Sequence, residues 1–255
     1  MANKNVKKLI FDILYPAIVV VGMLVLWQVL ALVLDANLVL PTPKQAFKQF
    51  FVYCGQGEFW LALASTFWRA TYSFALAFVV AVVFAVFCCL SDVARKIILP
   101  FFAVVRSVPT MSIILILVIW MSPSFAPVVV AIIVTAPTLF SAFLASVDSV
   151  DKKLVEMSKV YKVSAKDVVF TLYLPNMASQ LFENCASGFS LNLKLIIAAE
   201  ALAYTSKSVG KLMQFAKINI EPTQLFALTL FAMVLGVVAE SVIRQIGKRV
   251  VRWQK

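Results

Sequence analysis

Five ionisable side chains stand within long apolar stretches of this sequence: Arg69, Arg106, Glu183, Lys194 and Glu200. A charge in hydrocarbon is costly, so such groups mark either a polar path or a pair that locks helices together. Arg69 lies near one end of its stretch, where a long side chain can reach the interface, and reads as structural. Arg106 precedes Ser107-Val108-Pro109, where the proline must bend or break a helix and free backbone groups. It either neutralises a carboxylate on another helix or meets an anionic solute. Glu183 and Ser187 are four residues apart and share a helix face. Asn184, Ser187, Gly188 and Leu191 form the adjoining stripe, with Asn192 and Lys194 further along. Hydrogen bonds between helices, or Glu183–Arg and Lys194–Glu pairs, are the favoured structural reading of this cluster.

Much other chemistry is removed by composition. Histidine is absent, which excludes His-based general bases, His metal ligands and Ser-His-Asp triads in this chain. Cys54, Cys88, Cys89 and Cys185 form no CxxC, so a zinc site or disulfide framework is not expected and the thiols read as small apolar filler. There is no G-x-x-x-x-G-K-[ST] phosphate loop. No paired carboxylates at a common depth suggest an intramembrane enzyme.

The elements that carry these groups are membrane helices. The 255 residues are 62% hydrophobic and 14% charged, against about 45–50% and about 25% in soluble domains. Stretches of about 20 apolar residues suffice to cross a bilayer. Six are expected, at roughly 13–34, 62–90, 97–121, 125–147, 177–204 and 225–243, the third broken at Pro109. Lys4, Lys7 and Lys8 precede the first as in a signal peptide, but that stretch is too long for an h-region and reads as a retained span. No internal repeat is visible. The whole of 1–255 reads as one transmembrane domain.

Positive charge sets the expected orientation. With both termini cytoplasmic, that side holds Lys4, Lys7 and Lys8, Arg95 and Lys96, the lysines of 152–166, and Arg244 to Lys255. The other side holds only Lys44, Lys48, Lys207, Lys211 and Lys217. The net charge of +11 thus reflects topology and attraction to anionic membrane lipid, with no nucleic-acid partner. The external segment, about 35–59, contains "LPTPKQAFKQFF". Its two prolines and its Ala46, Phe47, Phe50 and Phe51 pattern predict a short helix on the membrane surface.

The longest cytoplasmic loop is about 148–175. Leu154, Val155, Met157 (or Ser158) and Tyr161 keep helical spacing. Asp148 and Asp151 sit at its start, where carboxylates favour a helix N-terminus. Ser164 and Asp167 form the S-x-x-D start of a second helix, and Pro175 leads into the next span. Apolar residues on a cytoplasmic surface invite a protein partner. The competing reading is an ordinary solvated helix with none.

At this loop the sequence resembles the permeases of binding-protein-dependent ABC importers. Their cytoplasmic loop reads E-A-A, three residues, G, nine residues, I-x-L-P. Here Glu156-Met157-Ser158, then Lys162, then Leu172-Tyr173-Leu174-Pro175 keep that spacing without a gap. "LPTPKQAFKQF" resembles the LPSP segment of the nitrate/sulfonate/taurine branch. The block from Gly57 to Thr110, then "LILVIW" and "ASVDSVDKKLVEMSKVYKVSAKDV", continue the likeness over nearly the whole chain. The departures are Met157, Ser158 and Lys162, together with missing glycines in the second span. Lys162 must make the family's glycine turn with an ordinary backbone, or the turn shifts towards Ser164.

The resemblance implies an all-α membrane protein of the type I importer permease fold, in the bacterial inner membrane. It implies no enzyme activity and no cofactor in this chain, ATP and Mg being bound by two cytoplasmic ATPase subunits. The loop would be the coupling helix, with Val155, Val160, Tyr161, Val163 and Ala165 in contact and Glu156, Lys159 and Lys162 at the rim, alongside Met157 and Ser164. An external substrate-binding protein would deliver a small polar or anionic solute, or a vitamin precursor. A permease homodimer, or a heterodimer with a paralogue, would form the path. The family's path is lined by the span after Pro175, so Glu183, Asn184, Ser187, Asn192 and Lys194, with Arg106, are pathway candidates. Glu200 matches the glutamate of the family's A-A-E and would be a helix-end or gate contact. An ion-coupled secondary transporter or channel is the alternative.

Overall fold

The computed structural model describes residues 2–34, 39–164 and 167–251, apart from the side chains of 2–13, 16, 152 and 159. Among them helix is the only regular structure. Asp35 at the head of the expected external segment, and Arg252 and Lys255 of the C-terminal charge cluster, lie outside the described residues. Five helices are long and apolar enough to cross a membrane: Ala17–Leu34, Gly57–Leu90, Ala126–Asp148, Val168–Ala203 and Pro222–Val250. A sixth crossing requires Asp92–Ser107 and Thr110–Trp120 together, which meet at 86°. The cause of the bend is the one expected. Pro109 has no N–H and stands as the N-cap of the second piece, with Ser112 and Ile113 donating to its carbonyl.

Contacts divide the chain into two units, Met1–Gly57 with Phe215–Phe231 and Glu58–Gln214 with Ala232–Lys255. The first holds α1 (Ala2–Leu34) and α2 (Pro43–Cys54). Thr42 and Gln45 form a reciprocal capping box that starts α2, with Pro43 in the first turn. A short helix stands where the sequence predicts one, but its inner face differs. Ala46, Phe50 and Tyr53 turn inward, Phe50 stacking on Phe231 at 3.7 Å and the Tyr53 hydroxyl donating to Gln224 at 2.7 Å. Phe51, expected on the same stripe, is 69% exposed. Residues 46, 50 and 53 already fill one side of the helix, so 47 and 51 lie off it. Trp27 stacks on Phe226 and donates to the Pro41 carbonyl at 3.0 Å, fixing where the chain leaves α1.

The second unit is built on α3 (Gly57–Leu90), α6 (Ala126–Asp148) and α8 (Leu174–Ala203). α3 buries Ala62, Thr66, Ala70, Ser73, Ala77, Ala81, Ala85 and Cys88 at steps of three or four residues. This stripe of small side chains allows close backbone approach, the job that glycine does in other membrane helices. α6 and α8 run antiparallel, Ser146 opposite Asn184, Leu139 opposite Gly188 and Thr135 opposite Asn192. At Gly188 a Cβ would lie 2.7 Å from a Leu139 methyl, so the glycine spares Leu139 a shift where these helices meet. α4 (Asp92–Ser107) packs Phe102 on Phe140 at 4.5 Å. α5 (Thr110–Trp120) buries Ile114 and Leu117 against Val130 and Ala199.

Candidate functional site

The loop expected on the cytoplasmic side begins with α7 (Lys152–Val160). Of the two expected N-terminal carboxylates only Asp151 caps it, accepting from the Lys153 amide at 2.9 Å. Asp148 ends α6 instead and makes a two-pronged pair with Arg95, the shorter contact being 2.5 Å. A carboxylate at a helix C-terminus is unfavourable, and the arginine offsets it.

The turn after α7 differs from the sequence expectation in one respect. Lys162 takes a left-handed backbone, φ 52°, and the turn neither shifts nor stays ordinary. The Val163 amide donates to the Ser158 carbonyl at 3.0 Å and the Tyr161 amide to Met157, also at 3.0 Å. The Val163 bond is the six-to-one closure of a Schellman motif, with Lys162 at the position that glycine usually takes. A lysine has the strain of a Cβ there, about 1–2 kcal/mol.

The predicted second start is present. Ser164 Oγ accepts from the Asp167 amide at 3.2 Å and donates to its carboxylate at 2.7 Å. The helix then begins at Val168, earlier than the span start expected after Pro175. Val168–Tyr173 is a π-helical turn running directly into α8, with the Leu174 amide bonded to the Val169 carbonyl. Widening the turn accommodates the proline ring and its missing donor without ending the helix.

The ten residues assigned to the coupling loop divide by exposure. Val160 and Tyr161 are 78% and 76% exposed, and Met157 is more than half exposed. Glu156, Lys162 and Ser164 are also exposed. Val155 turns inward. With Val163 it lines a cavity of about 600 Å³ between the loop and the near ends of α3, α6 and α8. Ala165 and the Lys159 side chain lie outside the described residues.

Within the helices the ionisable groups sort clearly. Glu200 is fully buried. Its carboxylate accepts from Arg69 at 2.8 Å, from the Thr66 hydroxyl at 2.9 Å and from the Gly210 amide at 3.4 Å. Thr66 Oγ accepts in turn from the Val209 amide at 3.0 Å. Glu200 thus meets the N-terminus of α9 (Val209–Ile218), with Arg69 as its ion-pair partner. At Gly210 a Cβ would lie 2.4 Å from the Ile197 carbonyl, so no other residue fits. Neither Gly210 nor Thr66 stands out in the sequence, since a glycine and a threonine in apolar stretches carry no spacing signal of their own.

The six pathway candidates fall into three groups. Asn192 is buried and ties three helices, donating to the Ala70 carbonyl at 2.8 Å and accepting from Thr135 at 3.2 Å. Asn184 donates to Ser146 at 3.2 Å. Glu183 pairs with Arg244 of α10 (Pro222–Val250), which also holds Glu240 at 2.8 Å. Ser187 and Lys194 face outward, two turns apart, with Gln180 and Ala198 on the same exposed stripe. Among the described residues no ion pair includes Lys194 or Arg106, and Arg106 donates to Ser141 at 3.3 Å.

Comparison with known proteins agrees with this geometry. The family described as "binding-protein-dependent transport system inner membrane component" matches residues 77–252. The methionine ABC transporter MetNI, in an inward-facing conformation, has a chain with the same fold at TM-score 0.59 and 19% identity, covering 77% of this chain and 97% of that one. An amino acid ABC transporter crystallised with histidines gives TM-score 0.56 at 12% identity, covering 73% and 89%. No curated protein matches the sequence.

Two expectations follow from the geometry. Lys162→Gly relieves the left-handed strain and stabilises the turn by about 0.5–1 kcal/mol after glycine's own entropy is counted. Slower hydrogen exchange at the Val163 amide reads this out. Removing one partner of the Arg69–Glu200 pair, as in Arg69→Met or Glu200→Leu, destabilises by about 3–5 kcal/mol, whereas the double substitution costs much less than the two added together. A thermal-melting double-mutant cycle in detergent measures the difference.

Proposed function

The chain belongs to the family of binding-protein-dependent transport inner membrane components, a multi-pass permease and not an enzyme, and on that premise we propose how its parts divide the work of import. The turn after α7 docks in a groove of a cytoplasmic ATPase, and ATP with its magnesium binds there, since this chain carries no phosphate loop. The observation that carries this reading is the outward placement of Val160 and Tyr161 at the tip of a capped, hydrogen-bonded turn. Large apolar side chains held in water by a rigid motif fit a partner surface. Glu156 and Lys162 supply a charged rim.

The exposed stripe of α8 supports the second half of the proposal. A membrane helix with Gln180, Ser187 and Lys194 on its outer face needs water or another protein along it. Two copies of the chain, arranged so that these stripes face one path, meet that need in a bacterial inner membrane. An external binding protein delivers the solute. Lys194 favours a small polar or anionic one, of the kind carried by the nitrate, sulfonate and taurine branch, over a cation.

Replacing Tyr161 or Val163 with Asp lowers co-purification with the cognate ATPase at least about tenfold, because a charge is then buried unpaired. Undiminished complex and transport overturn the docking assignment. Lys194→Met leaves assembly intact and slows uptake in proteoliposomes containing the ATPase and binding protein. Normal uptake removes Lys194 from the path.

A further inference from the structure

The cavity beneath the cytoplasmic loop has walls that suit neither water nor an ion. Val86, Cys89, Phe143, Val155, Val163 and Met177 line it, and most of the remaining wall is also apolar. Ser158, a polar member of the wall, already donates its hydroxyl to the Val155 carbonyl at 2.7 Å. A water molecule needs two to four polar partners and finds too few here. The volume, about 600 Å³, falls within the about 300–1,000 Å³ of sites that enclose organic ligands.

Two features identify the occupant. Val86 and Leu90 belong both to the cavity wall and to the exposed outer surface of α3, where Val79, Val83 and Phe87 are exposed as well. The mouth therefore opens on the apolar face of a membrane-crossing helix. The loop bordering it carries more lysines than carboxylates, five against three over residues 151–167. Lys96 is exposed shortly after α3 and has no ion pair among the described residues, and exposed Lys162 adjoins Val163 in the wall. Basic residues beside a membrane attract anionic headgroups. We propose that the cavity is a binding site for an anionic phospholipid of the cytoplasmic leaflet, its acyl chain under the loop and its phosphate among these lysines. The acyl chain then supplies the floor on which Val155 and Val163 rest, so the stance of the loop depends on bound lipid. This site does not depend on the transport reading and stands if that reading fails.

The test uses the purified full chain in nanodiscs containing phosphatidylglycerol with a diazirine near the end of one acyl chain. Adducts are expected to concentrate at Cys89, Phe143 and Met177. Val86→Trp, which fills the mouth from an exposed position, lowers them by about tenfold. Val83→Trp, exposed on the same helix but outside the wall, leaves them unchanged. Adducts spread evenly over α3 and α10, or persisting in Val86→Trp, overturn the site. Wild-type protein gives an independent measurement. Alkylation of Cys89 in detergent slows on adding phosphatidylglycerol and not phosphatidylcholine. No slowing with either lipid overturns the proposal, and equal slowing with both overturns the anionic assignment.

Discussion

Glu200 is a carboxylate without exposed surface at the end of a membrane-crossing helix, and the packing around it follows from the need to satisfy it. Burying an ion and leaving it unpaired costs more than most single contacts return. Three donors therefore converge: Arg69 and Thr66 from α3 and the Gly210 amide from the start of α9. Thr66 then serves twice, since its oxygen also takes the Val209 amide. The short loop between α8 and α9 is thereby bound to α3, and the close approach at Gly210 leaves room only for hydrogen.

A second constraint is the shortage of glycine. The chain has seven, and among the described residues none has positive φ. Helix ends that would ordinarily use glycine use other residues. Lys162, Tyr204 and Ile220 are left-handed, and each is followed by an amide bonded five residues back, the six-to-one bond of the Schellman pattern: Val163 to Ser158, Thr205 to Glu200 and Glu221 to Ala216. The hydrogen-bond closure stops the helix in all three and the strain is tolerated. The glycines that leave room for no Cβ serve packing, Gly210 against the Ile197 carbonyl and Gly247 against Phe182. Alanine and serine along α3 do the same for its stripe.

These constraints shape how the chain can work as a permease component. α8 has two characters. Its inner face holds Asn184 and Asn192 in hydrogen bonds that fix it to α6 and α3. Its outer face leaves Ser187 and Lys194 without such partners among the described residues. Because the helix runs unbroken from Val168 through Pro175 to Ala203, a displacement at the loop acts on a continuous rod. A rigid element of this kind is what a coupling device needs.

Sequence alone determined what depends on composition and local chemistry. The membrane class followed from apolar content, the break at Pro109 from a missing donor, and the Ser164 start from a side chain that caps three residues away. Of the polar residues of α8, Glu183, Asn184, Ser187, Asn192, Lys194 and Glu200 were legible as candidates, and Gln180 of the exposed stripe was not. Which of them turned inward was not, because helical spacing gives a face but not what lies opposite it. Glu183 and Arg244, or Arg69 and Glu200, are 61 and 131 residues apart, and only packing brings them together. Lys162 is the sharpest case. Its spacing was legible, yet its left-handed backbone was not, because a lysine takes that conformation only when a six-to-one bond and the helix it closes outweigh the strain.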